Sequence, residues 1–267
     1  MRRALSVLML VTIVTPAFAQ SRSAQRWLND CRDGRWSGDR DREHFCDVRE
    51  QTIANRSVLR VDGRENGGIE IIGADRNDIL VISKIDARAA SASEAKALAD
   101  GIKIEIGDDI RADGPSTRWR SSWAVSYEIY VPRKANLDLN TNNGGISIEG
   151  VDGRIEFEAN NGGVSLVNLA GAVRGSTSNG GLEVELAGDK WNGEGLDVRT
   201  TNGGVQMLIP TNYSAQLETG TVNGGMNIGF PITVQGRLNR RLTTQLGSGG
   251  PLVRATTTNG GVELRRR

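Results

Sequence analysis

The sequence predicts an all-β chain, a parallel β-solenoid with rungs of about 18 residues, one short helix insertion and a disulfide-bearing N-terminal cap. Three observations predict it. The tripeptide Asn-Gly-Gly occurs seven times, beginning at Asn66, Asn143, Asn161, Asn179, Asn202, Asn223 and Asn259. Each copy is followed by the same apolar–polar–apolar alternation. Glycine is abundant, at 34 residues, while aromatics make up only 4%. Such a chain turns often and builds its core from aliphatic side chains.

The alternation is a strand signature. Three residues after each asparagine stand Ile69, Ile146, Val164, Leu182, Val205, Met226 and Val262; five residues after stand Ile71, Ile148, Leu166, Val184, Met207, Ile228 and Leu264. Between them every residue is polar, so one face of each strand points inward. A second strand precedes the turn in the last six units. It carries an apolar residue from Leu137 to Val253, and then a charge: Asp138, Glu156, Arg174, Asp197, Glu218 and Arg254. Two residues before the asparagine stand Thr141, Ala159, Thr177, Thr200, Thr221 and Thr257.

Asn-Gly is also a hairpin signal, so an antiparallel meander is the competing arrangement. Stacking is preferred because inward position, turn and outward charge recur in one order. Asn143, Asn161 and Asn179 lie 18 residues apart, and longer spacings read as insertions. Rungs then stack about 4.8 Å apart. The glycines are expected to supply positive φ at the corner. The Thr and Asn columns are expected to hydrogen-bond along the stack.

In chain order, Arg2 and Arg3, an apolar run from Ala4 to Val14 and Ala17-Phe18-Ala19 read as a secretory signal peptide over 1–19. Cleavage is expected after Ala19. Gln20 follows in place of a lipidated cysteine. The apolar run is too short to span a bilayer, and no transmembrane segment is expected after cleavage. The remaining chain has 31 basic and 32 acidic residues. That balance argues against nucleic acid as a partner. Residues 20–56 read as a polar, irregular cap segment ending in a strand near Phe45–Ile53. Cys31 and Cys46 are expected to form one disulfide in an oxidising compartment, contributing roughly 3 kcal/mol by loop closure. A reactive thiol or a metal pair is the alternative.

Residues 57–267 read as one solenoid domain, with regular rungs from about 135. Strands are expected near Ser57–Val61, Ile69–Ile72 and Ile79–Ile85. Ser91, Glu94 and the alanines to Ala99 form a capped helix that Gly101 ends. Ile102, Ile104 and Ile106 resume strand alternation. Trp123, Val125, Tyr127, Ile129 and Val131 share one face of a strand ended by Pro132. The stretch from Gly229 to Pro251 reads as an irregular rung or a protruding loop.

From Ile69 onward, through Tyr127-Glu-Ile-Tyr-Val-Pro132, Leu137 to Ile148 and the Thr-x-Asn-Gly-Gly units, the chain resembles the bacterial family of exported proteins called "putative adhesins". The resemblance implies a β-solenoid of unknown function at the cell envelope, sometimes tied to envelope stress. It carries no catalytic residues to transfer.

Candidate chemistry is sparse. His44 is the single histidine, which leaves histidine triads and multi-histidine metal sites without partners. It reads as a cap residue. Asp138 and Glu156 are the best acid–base pair, one rung apart on the outer column, as a β-helix carbohydrate-active enzyme would need. The mixed-sign column around them reads as a solvated ladder, and no catalytic residue is assigned. Calcium binding would need a regular Asp after the glycines, where apolar residues stand, and no metal or cofactor is expected. Trp119, Trp123, Tyr127 and Tyr130 read mainly as core, with Trp119, between Arg118 and Arg120, as a candidate for binding. The arginines between Arg237 and Arg241, and Arg265, Arg266 and Arg267, are candidate contacts for anionic lipid or polymer, or charges that guard a sheet end.

The expected function is non-catalytic: a rigid, adhesin-like surface in the periplasm or outside the cell that contacts envelope glycan, lipid or protein. A self-assembling envelope scaffold is the third reading. The disulfide cap at one end and the arginines at the other argue against end-to-end stacking.

Overall fold

The computed structural model describes residues 22–33, 42–117, 120–231 and 240–267. The signal peptide, Trp119 and Arg237 lie outside these. The chain runs α1 (Arg22–Arg32), β1 (Glu43–Ala54), β2 (Leu59–Asp62), β3 (Ile69–Ala74), β4 (Asp78–Ala89), α2 (Ala92–Asp100), β5 (Lys103–Ile106), β6 (Asp109–Asp113) and β7 (Ser122–Pro132). Strand pairs follow: β8 (Leu137–Thr141) with β9 (Ile146–Glu149), β10 (Asp152–Asn161) with β11 (Val164–Val167), and β12 (Ala170–Asn179) with β13 (Leu182–Glu185). Next come β14 (Gly195–Asn202) with β15 (Val205–Ile209), and β16 (Ala215–Asn223) with β17 (Met226–Ile228). The chain closes with β18 (Arg241–Leu246), β19 (Leu252–Asn259) and β20 (Val262–Arg266).

The strands of the described residues form two sheets of ten. One is ordered β1-β4-β7-β3-β9-β11-β13-β15-β20-β17 and the other β18-β16-β19-β14-β12-β10-β8-β2-β6-β5. Each Asn-Gly-Gly turn carries the chain from the second sheet to the first. Neighbouring units pair in parallel, with Ile155 against Leu137 and Val173, and Val164 against Ile146 and Leu182. Parallel pairing rules out the meander there. The inward aliphatics of both sheets meet in one continuous core from Leu59 to Leu264, because each inward side chain stacks on its counterpart one rung away.

Size changes within a column are compensated. Phe157 projects inward from β10, and its neighbour in β12 is Gly175. A methyl group on Gly175 would lie 2.5 Å from the Phe157 ring. The ring occupies the space that the glycine leaves.

The N-terminal end breaks the pattern. β1, β4 and β7 pair antiparallel, and β7 joins the stack in parallel with β3. The β5–β6 hairpin extends the other sheet. Residues 22–32 are helical, not irregular, so the described residues hold two helices, not one. The helix forms because Ala24, Leu28 and Cys31 make one apolar stripe that packs on Cys46, Val48 and Ile82 of β1 and β4. Cys31 and Cys46 are disulfide-bonded. The second helix, α2, starts where the capping box places it, with Ser91 Oγ accepting from the Glu94 amide at 3.3 Å. Gly101 ends it in right-handed geometry, at φ −77°, not left-handed.

The C-terminal end differs most from expectation. The last unit, β19–β20, inserts between β14–β15 and β16–β17. The unit before it in sequence therefore ends the stack, and β18 covers its outer edge antiparallel to β16. The excursion after Gly229 thus contributes an edge strand. The outer charge column gives a physical reason for the swap. In chain order Asp197 and Glu218 would be neighbours. The insertion puts Arg254 between them, its Nε 2.8 Å from Asp197 and its Nη1 3.6 Å from Glu218. A like-charge contact becomes a bridged triad.

Candidate functional site

The corner that carries the repeat has four columns, each with its own job. The asparagines form a ladder through all seven rungs. Each Nδ2 donates to the next Oδ1 at 2.8–2.9 Å, and at 3.4 Å for Asn143 to Asn66. The threonines do not bond to one another. Thr141, Thr177, Thr200 and Thr257 donate to the carbonyl of the first glycine one rung away, at 2.6–2.8 Å. Thr221, in the end rung, is buried with its Oγ1 unpartnered among the described residues.

At Gly144, Gly162, Gly180 and Gly203 the first glycine is present for close approach, whereas Gly260 also has positive φ, at +157°. Their backbones pack directly on one another, so a methyl group on Gly144, Gly162, Gly180 or Gly203 would collide with the neighbouring glycine carbonyl. The expected positive φ is absent from these four glycines, which stack too tightly for a Cβ. The second glycines differ. Around Gly68, Gly163, Gly181 and Gly261 the nearest atom to an added methyl lies 3.6–3.8 Å away, an ordinary contact, and Gly225 has nothing within 4 Å, while Gly145 and Gly204 are tighter, at 3.1 and 3.3 Å.

Over those second glycines runs a groove of about 1200 Å³ that touches all seven rungs. Its floor is the backbone of the second glycines and of the inward residues that follow them. Its wall is the outward polar column, in spatial order Glu70, Ser147, Ser165, Glu183, Gln206, Glu263 and Asn227. Glu263 pairs with Arg265 at 2.8 Å. The other six side chains make no hydrogen bond or ion pair among the described residues.

At the β7 end the groove meets Trp27 of α1, Ser126, Tyr127 and Lys84. Beneath α1, Glu128 is buried and bonded to Lys84 Nζ at 2.5 Å, and it accepts from Tyr130 Oη at 2.7 Å. Desolvation pushes the Glu128 carboxyl up, but hydrogen bonds from Lys84, Ser23 and Tyr130 outweigh it and hold the group below the usual carboxylate range. Glu70, its partner in register on β3, is raised by burial and by the Glu128 charge, with Lys84 opposing. Its side chain remains open to water, which screens both effects.

A depressed folded-state value means that Glu128 stabilises above its unfolded value and loses that contribution as pH falls through the folded one. Glu128→Gln leaves Lys84 without its counter-charge and is expected to cost about 2 kcal/mol at pH 7. The melting-temperature gap to wild type should close as pH falls below about 4. A gap that is unchanged at acid pH would show that Glu128 acts by packing alone.

The residues singled out in the sequence fall elsewhere. Asp138 and Glu156 are adjacent in register, and each has its own arginine: Arg60 at 3.4 Å and Arg154 at 2.6 Å. Trp123 packs on the core and donates to the Pro115 carbonyl at 2.9 Å. Tyr127 is buried and Tyr130 lies on the opposite face, so Trp123, Tyr127 and Tyr130 form no shared platform. Burial raises the Tyr127 hydroxyl. His44 Nδ1 lies 3.5 Å from Asp86. The terminal arginines do not guard a sheet end, because β20 lies inside its sheet. Arg265 pairs with Glu263, Arg266 stacks 4.1 Å over Phe230, and Arg267 pairs with Glu185. Arg241 opens β18, an edge strand. The groove, Trp27 and the Lys84–Glu128 pair were not anticipated. One signal was available: the second glycine recurs in all seven units although alternation alone does not require it.

Fold and groove together define a two-sheet, solenoid-like β protein with a linear site on one face. The chain belongs to the Toastrack DUF4097 family, whose pattern matches residues 70–265. Among solved structures it is similar to a "putative cell adhesion protein" from Clostridium sporogenes, at 11% identity and TM-score 0.43, covering 84% of this chain and 100% of that one. It is also similar to a "putative lipid binding protein" from Parabacteroides distasonis, at 11% identity and TM-score 0.28, covering 82% and 96%. A third is a "putative adhesin" from Parabacteroides merdae, at 11% identity and TM-score 0.31, also covering 82% and 96%. Likeness at this level carries no functional argument. No curated protein matches the chain. No helix among the described residues is long and apolar enough to cross a membrane.

Proposed function

We propose that this chain is an exported, non-catalytic protein of the bacterial cell envelope that binds its partner along a rigid β-solenoid face. The groove carries this reading. It presents the same backbone floor and an unpaired polar side chain at nearly every rung, which suits repeated contacts to an extended partner and needs no reacting group. Rungs of about 18 residues would space those contacts regularly, and the disulfide-tied α1 would close one end of the stack as a cap. The disulfide agrees with export through a cleaved signal over 1–19, into the periplasm or beyond the cell. Envelope glycan, lipid and envelope protein are the partner classes. The carbohydrate-active alternative is weakened, because Asp138 and Glu156 each have an arginine partner. Self-assembly through the end rung is disfavoured by the short β17, of three residues, since short edges pair weakly.

The test is co-sedimentation of residues 20–267 with cell-wall sacculi and with vesicles containing anionic lipid. Retention on either supports envelope binding and separates glycan from lipid. Retention on neither would exclude glycan and lipid and leave an envelope protein as the partner class.

A further inference from the structure

We propose that the groove seats a linear, uncharged glycan laid along the stack, its sugar rings on the glycine floor and its hydroxyls bonded to the polar column. This rests on the envelope-binding reading and names the ligand within it.

The starting point is the shape and chemistry of the cavity. It crosses seven rungs, which at about 4.8 Å per step makes it roughly 30 Å long. An open trough of that length fits a chain, not a compact molecule. Its walls repeat with the rung, so the occupant gains most if it repeats as well. Packing explains the first glycines, but at Gly163, Gly181, Gly225 and Gly261 there is room for a Cβ. What glycine achieves at these positions is an unobstructed floor.

The wall then selects the class of chain. Ser147, Ser165 and Gln206 offer neutral donors and acceptors, and Glu70 and Glu183 offer acceptors, none of them engaged by another side chain. A hydroxyl-rich ligand satisfies such groups. An acyl chain would cover them without replacing their bonds to water, which costs free energy. A polyanion would meet the glutamates, and the one lysine at the groove is already neutralised by Glu128. An extended peptide draws its affinity from pairing with a sheet edge, whereas this groove lies on a sheet face whose backbone groups are bonded between rungs. A pyranose chain has what remains: apolar ring faces and polar edges. At the closed end Trp27 is half-buried on α1, and its ring is a surface of the kind on which a sugar face rests.

The experiment is calorimetric titration of residues 20–267 with chitohexaose and cellohexaose, and with the corresponding disaccharides. At least one hexasaccharide should bind about tenfold more tightly than its disaccharide. Filling the trough with Gly163→Leu and Gly181→Leu together should weaken that binding at least about tenfold, with the melting temperature kept, since both sites have room for a Cβ. Trp27→Ala, outside the stack, should weaken it in a second and separate way. Equal binding by disaccharide and hexasaccharide, no binding of either hexasaccharide, or a hexasaccharide affinity unchanged by both variants would overturn the proposal. If sacculi still retain the protein in any of those cases, the glycan-in-groove assignment falls and envelope binding stands. If neither sacculi nor vesicles retain it, the glycan assignment falls, and envelope binding through glycan or lipid falls with it. Vesicle binding abolished by the glycine variants would put lipid in the groove and overturn the glycan.

Discussion

Alanine at Gly180 is expected to destabilise the protein on the order of 3 kcal/mol, whereas alanine at the adjacent Gly181 leaves stability within about 1 kcal/mol of wild type. The two residues share a turn and a composition, and differ only in what lies above them. A methyl group on Gly180 would penetrate the carbonyl of Gly162 in the next rung. That carbonyl also accepts from Thr177 and cannot swing aside without breaking the bond. The obstacle is backbone held in a ladder on both sides, so no rotamer change relieves it. Gly181 has its nearest neighbour 3.8 Å from an added methyl and faces the groove. Urea midpoints of the two variants, measured side by side, decide the matter. Equal losses would mean that the corner glycines serve backbone conformation and that close approach has no special part. A loss of this size is a large fraction of the stability of an ordinary domain.

Phe157→Ala is expected to cost about 3–5 kcal/mol. The ring is the largest side chain in its column and reaches over Gly175, so its removal opens a cavity spanning two rungs. Rung backbones are tied on both sides by parallel ladders, which limits collapse into that space. Gly175→Ala should also destabilise, because its methyl would press on the ring. The double variant refills part of the cavity that the first one opens. Its cost should fall short of the sum of the single costs by on the order of 1 kcal/mol. Thermal unfolding of the four proteins measures this. Strict additivity would show that the ring and the glycine are not packed on each other.

The fold was legible wherever a rung repeats. Inward aliphatics such as Ile146, Val164 and Leu182 recur on a fixed spacing, and the ladder of Asn143, Asn161 and Asn179 follows from that register alone. The α1 helix was less legible, since its stripe of Ala24, Leu28 and Cys31 is short and set among charged residues. The groove was hidden for a different reason. It is made by the absence of side chains at the second glycines, and a glycine in a turn ordinarily signals φ, not open space.

The order of the last two units divides what one dimension can hold from what it cannot. Within each unit, the alternation, the turn and the outward charge are local properties, so the sequence determined them by itself: two strands per unit, one inward face and a solenoid of stacked corners. Which unit stacks on which is a choice among surfaces that look alike to a strand, and only the tertiary structure decided it. Chain order would place Glu218 against Asp197. The folded stack separates them with Arg254 and hands the open edge to β18. A charge contact and an uncovered sheet edge both favour that order, and both exist only once rungs are side by side.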